Sequence, residues 1–239
     1  MPSTDLKRRL RERAAQGVKC DVAGCYAAVD NISRYCKTHR AQDSRTGHPN
    51  GQTIKKAWLE PFETETRLFI EDHKNHRGID LALTWIERVI NEADPPEIIH
   101  NKTSPAKRTA RWLQRMKAEG TYPEEVLARV VGMYSLRQFR PDLFRSDRHF
   151  NHQLAIRVLR LVPARHRQIH AGGKSGRRYD YVTVGVRDYL SQRLKTALGV
   201  LSHHILEEIE EKRKRAVRPN PDLLDRDAVL EPFTQTPVN

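Results

Sequence analysis

The sequence predicts a mostly α-helical protein, and three observations carry that expectation. Apolar residues recur at steps of three and four along several stretches between residues 60 and 216. Prolines, glycines and capping residues bracket those stretches. The period changes to the strand value only around residues 165–184. The expected order is a small cysteine-bearing knuckle, a helical pair, a winged-helix-like unit of three helices plus a β-hairpin, and a long C-terminal helix. By residue these are 1–53, 57–97, 100–185 and 186–217, with a flexible tail at 218–239.

From the N-terminus, Asp5 to Ala15 reads as a short basic helix, and residues 17–40 hold the cysteines. Residues 41–53 are rich in turn formers and read as a linker. A helix is expected from about Glu60 to His73. The next, about Ile79 to Ala93, sets Ile79, Ala82, Leu83, Ile86, Val89 and Ile90 at helical spacing, and Asp94-Pro95-Pro96 stops it. Ser104 and Pro105 supply an N-cap and a first-turn proline for a helix ending at Gly120. Another follows Thr121, with Val126, Val130 and Tyr134 on one face, and ends at Pro141. The third of this group starts at Ser146 or Asp147 and runs to Leu161, with Phe150, Leu154, Val158 and Leu161 turned inward. Residues 165–170 and 178–184 read as strands joined by a glycine-rich turn at 171–176. The long helix, about Val186 to Ala216, aligns Val186, Leu190, Leu194, Ala197, Leu201, Ile205 and Ile209. That stripe suits either a second copy of the chain, giving a homodimer, or the helical core.

The 239 residues include 43 Lys and Arg against 30 Asp and Glu, a net charge of +13. The excess is uneven: +7 over residues 1–56, −6 over 57–99, +13 over 100–178 and −1 over 179–239. A basic block inside structured segments is the electrostatic footprint of phosphate-backbone binding. The plain alternative is a solvated face that keeps the chain soluble. The acidic helices of 57–99 suit a protein partner better than phosphate. No apolar run reaches the ~18 residues of a membrane span, and the polar start lacks the apolar core of a secretory signal. Three cysteines do not suit a disulfide framework. A cytoplasmic, nucleoid-associated protein is therefore expected.

Cys20-x4-Cys25-x10-Cys36-x2-His39 uses every cysteine in the chain. Zinc takes four tetrahedral nitrogen or sulfur donors, and two short-spaced pairs joined by a loop can supply them. Gly24 suits a turn needing a positive φ. A module of about 20 residues cannot hold itself by apolar burial, so the metal would supply folding energy. The alternative is three scattered reduced cysteines and a chance histidine. With four protein donors the zinc would be structural.

Residues 18–51 resemble the small zinc modules of bacteriophage and mobile-element proteins, some of which accompany HNH-type endonucleases. The likeness rests on Cys20, Cys25, Tyr35, Cys36, His39, Arg45, Gly47 and Pro49. It implies a DNA-associated role and no particular reaction.

Three helices followed by a hairpin is the element order of a winged helix, whose third helix reads the major groove. The third helix here is expected to present His149, His152, Gln153 and Arg160 outward, with Arg148 at the edge. Arg145 precedes it as a phosphate contact, and Lys174, Arg177 and Arg178 would form the wing tip. A basic helical bundle with an incidental hairpin is the alternative. The turn lacks the phosphate-loop spacing, since Gln168 stands where the first glycine belongs. Two histidine-rich stretches, 72–76 and 147–152, carry the residue types of a metal-dependent HNH-like nuclease but crowd them into single short segments. The His203-His204 pair reads as part of an exposed face. The leading expectation is a zinc-containing DNA-binding protein, regulatory or accessory to replication or recombination. A nuclease and an RNA-binding or protein adaptor are the alternatives.

Overall fold

The computed structural model describes residues 5, 8, 9, 12, 17–29, 33–168 and 175–217. The basic helix expected over 5–15 lies mostly outside that set. The turn residues 171–174 and the tail at 218–239 lie wholly outside it. Among the described residues the protein is mostly helical, with seven α-helices. They are α1 (Lys37–Thr46), α2 (Lys56–Asp72), α3 (Arg77–Asn91), α4 (Pro105–Ala118), α5 (Pro123–Phe139), α6 (Asp147–Leu159) and α7 (Val184–Val217). Two short strands, β1 (Arg165–Gln168) and β2 (Ser175–Arg178), pair antiparallel with Arg165 opposite Arg178. No described helix is long and apolar enough to cross a membrane.

The central helix is α5. Val126 to Leu136 are all buried, because α2, α3, α6 and α7 pack around it. A helix covered on every side belongs to an interior. Gly132 lets α2 come close: a Cβ there would meet the Glu63 side chain at 3.1 Å. One cluster of buried side chains runs from Ile54 to Ile209. The segments expected as separate units at 57–97, 100–185 and 186–217 therefore share a core.

The acidic helices meet basic partners within this chain. Glu63 and Arg129 form an ion pair at 2.5 Å, and both are buried. Arg213 forks onto Glu65, its Nε donating at 2.7 Å, and Lys212 reaches Asp72 at 3.1 Å. Burial raises the Glu63 carboxyl, against the pull of Arg129 and Arg67.

The stripe on α7 lies largely against the chain itself: Val186, Leu190, Leu194, Ile205 and Ile209 are buried, Leu201 is half-buried and Ala197 is exposed. The winged-helix reading loses its support. Its third helix must turn one side to solvent, whereas in α6 His149, Phe150 and every residue from His152 to Leu159 are buried.

Candidate metal centre and cationic surface

The knuckle folds back on itself. Lys19 and Ala28 form an antiparallel bridge, with Cys20 N–H donating to the Ala27 carbonyl at 3.0 Å and Val29 N–H to that of Val18 at 2.9 Å. Gly24, at φ +76°, takes a backbone shape that side-chain-bearing residues rarely adopt. It turns the chain so that Cys25 lies opposite the second pair. Cys36 is the N-cap of α1, and the helix delivers His39 one turn later.

The three thiols and the His39 ring offer donor atoms that all lie within 4.8 Å of one another. His39 Nδ1 is 3.4 Å from the Cys20 sulfur and 3.5 Å from that of Cys36, and the Cys25 and Cys36 sulfurs are 4.0 Å apart. Donors on a tetrahedron with metal–sulfur arms of about 2.3 Å stand about 3.8 Å from each other. The cluster could hold a metal ion. The Cys36 N–H donates to the Cys20 sulfur at 3.3 Å. Burial works against the Cys20 thiolate, but the backbone of Cys36 and Val22 and the His39 ring outweigh it and hold the thiol at about 6. At Cys25 the Ala27 backbone pulls the value down, while burial and the Cys20 and Cys36 thiols push it up to a net rise. The apolar residues around the cluster are few: Val22 and Val29, with Val18 and Tyr35 beside them.

The residues expected to touch nucleic acid separate into two groups. His149, His152 and Gln153 have no exposed surface. Each instead holds the chain that follows α1 or the start of α7. His149 Nε2 donates to the Gln52 carbonyl at 2.7 Å. Gln153 accepts from the Ile54 N–H at 3.0 Å and donates to Thr46. His152 Nε2 donates to Asp188 at 2.6 Å. In this arrangement none of the three presents a surface that a base could touch. Arg148 is exposed but paired with Asp43 at 3.0 Å. Arg45 and Arg145 are exposed, Arg160 is half-buried, and none of the three has an ion-pair partner among the described residues. Lys174 lies outside the described residues, and Arg177 and Arg178 are placed by their backbone alone in β2.

Arg45 and Arg160 come together at one cavity, lined also by Trp112, Tyr179, Tyr181 and Arg187. Sequence reasoning missed those last four. Arg-Arg-Tyr-Asp-Tyr at 177–181, basic and aromatic residues interleaved, was the signal that could have found two of them. Arg187 is almost fully buried, donating to the Arg45 carbonyl at 2.7 Å and the Ser44 carbonyl at 2.5 Å. It thereby caps the C-terminal end of α1 with a positive charge.

The histidine-rich stretches form no second centre. Among the described residues, Cys20, Cys25, Cys36 and His39 are the one group of such donors close enough to share a metal. His73 stacks on Phe69 and Asp147 pairs with Arg137. No family model, no curated protein and no solved structure matches the chain.

Proposed function

We propose that the protein is a nucleic-acid-binding protein, of DNA rather than RNA, with a structural zinc ion in its N-terminal knuckle. One observation carries this reading. The metal-donor cluster begins α1, and the far end of the same helix carries Arg45 to the cavity where Arg160 also lies. A helix of ten residues spans about 15 Å, so a metal-ordered knuckle and a cationic surface share one rigid element. The net charge of +13 favours a polyanion as partner. Four protein donors leave no open metal position, which favours a structural role for the ion over a catalytic one. Three thiols and an imidazole favour zinc over harder ions. The likeness of residues 18–51 to phage and mobile-element modules supports DNA as the partner.

Fluorescence anisotropy with labelled DNA, at low and moderate salt, tests the reading, alongside metal analysis of the purified protein. The expected result is binding that weakens as salt rises, with one zinc per chain. Absence of binding at low salt would remove the proposal.

A further inference from the structure

The cavity at the end of α1 has the chemistry of a nucleotide seat. It is a partly open recess of about 240 Å³, far more than the ~10–15 Å³ that a single water needs. Tyr179 and Tyr181 line it and stand 49% and 69% exposed. Arg160 lies over the Tyr179 ring at 5.2 Å. The Tyr181 hydroxyl is 3.3 Å from the Ser44 hydroxyl of α1. Asp180 is the one carboxylate of the lining, and Arg115 neutralises it at 2.7 Å. Behind the wall, Arg157 is buried and its Nε has no hydrogen-bond partner. Burial, then the like charges of Arg160 and Arg129, lower Arg157 to about 10. The site is thus a recess with exposed aromatic faces and positive charge in excess.

Resting on the nucleic-acid reading above, we propose that this cavity takes one nucleotide of a single-stranded nucleic acid, its base stacked on Tyr179 or Tyr181 and its phosphate on Arg45 and Arg160. Stacking needs an unpaired base whose face is free, and duplex bases are covered by their neighbours. Arginine beside an aromatic ring serves both parts of the ligand, the ring by stacking and the phosphate by paired hydrogen bonds.

The test is anisotropy with a short labelled oligothymidylate, the matching duplex, and free thymidine monophosphate as competitor. Wild type, Tyr179→Ala, Tyr179→Phe and Arg160→Gln are compared, with circular dichroism to verify that each is folded. The strand should bind more tightly than the duplex. Tyr179→Ala should weaken strand binding by about 5- to 100-fold, while Tyr179→Phe, which keeps the ring, stays close to wild type. Arg160→Gln should weaken strand binding and reduce its salt dependence. Unchanged strand binding in Tyr179→Ala overturns the proposal. So does equal affinity for strand and duplex, which would leave general DNA binding intact. A monophosphate that competes as well as the strand overturns it in favour of a free nucleotide. A wild-type protein that binds neither strand nor duplex removes this inference and the broader reading together.

Discussion

Both ring nitrogens of His149 are engaged by backbone. Nδ1 accepts from the Arg145 N–H at 3.2 Å, and Nε2 donates to the Gln52 carbonyl at 2.7 Å. Only the neutral ring can do both. Burial holds His149 below the ordinary imidazole value, against the hydrogen bond to Gln52. Burial does the same at His152, against the Asp188 carboxylate. A folded value below the unfolded one means that the unfolded chain binds these protons more tightly. Their contribution is therefore complete above about pH 6.5 and declines as pH falls below it, by up to about 1.4 kcal/mol per pH unit for each ring. Urea unfolding at about pH 7.5 and about pH 5.5 should show this loss, and His149→Gln should show a smaller one. Equal pH dependence in the two proteins would contradict the account. These residues also mark the limit of what the sequence discloses. A polar face on a helix reads as solvent-facing, and nothing local reveals that it satisfies the backbone of a loop some hundred positions earlier. Gly47 belongs to the same contact. It has φ +92°, and a Cβ there would meet the His152 ring at 2.8 Å.

At the scale of elements, legibility follows how local the determining force is. The metal donors were readable because their spacing is short and every cysteine is used. The start of α4 was readable because Ser104 accepts from the Lys107 N–H and Pro105 opens the helix. By contrast α1 falls partly within residues read as a linker, since Thr46 is its single buried residue. It is a helix because Cys36 and Gly47 bound it and because Arg187, Gln153 and Arg148 hold it from other elements. This division predicts the response to metal removal. The knuckle has too little apolar surface to stay folded alone, whereas α1 and the body keep their own contacts. A chelator should make residues 17–36 sensitive to protease while most of the helical circular dichroism and the main thermal transition persist. Cys36→Ser should behave the same way without chelator. Global unfolding on chelation would show that the knuckle and the core fold as one unit.

Across the whole molecule, a net charge of +13 overstates the surface available to a polyanion. In the basic middle region, Arg115, Arg129, Arg137, Arg140 and Arg148 are each paired with a carboxylate. Arg108 and Arg111 donate to backbone carbonyls, and Arg157 is interior. The uneven charge of the segments is in part an internal matter, Glu63, Glu65 and Asp72 of the acidic helix α2 pairing with Arg129 of α5 and with Arg213 and Lys212 of α7. What remains on the surface of the cavity is Arg45 and Arg160, and Arg165 lies near enough to Arg115, the partner of Asp180, to add to the lowering that burial imposes on Arg115. A footprint of about three phosphates releases few counterions, and for a single strand the logarithm of affinity should fall against the logarithm of salt with a slope of roughly −2. The measurement is anisotropy over a salt series with oligothymidylate. A slope of about −6 or steeper would mean that cations far from the cavity carry the binding. The compact footprint would then have to be replaced by one spread over the protein's surface.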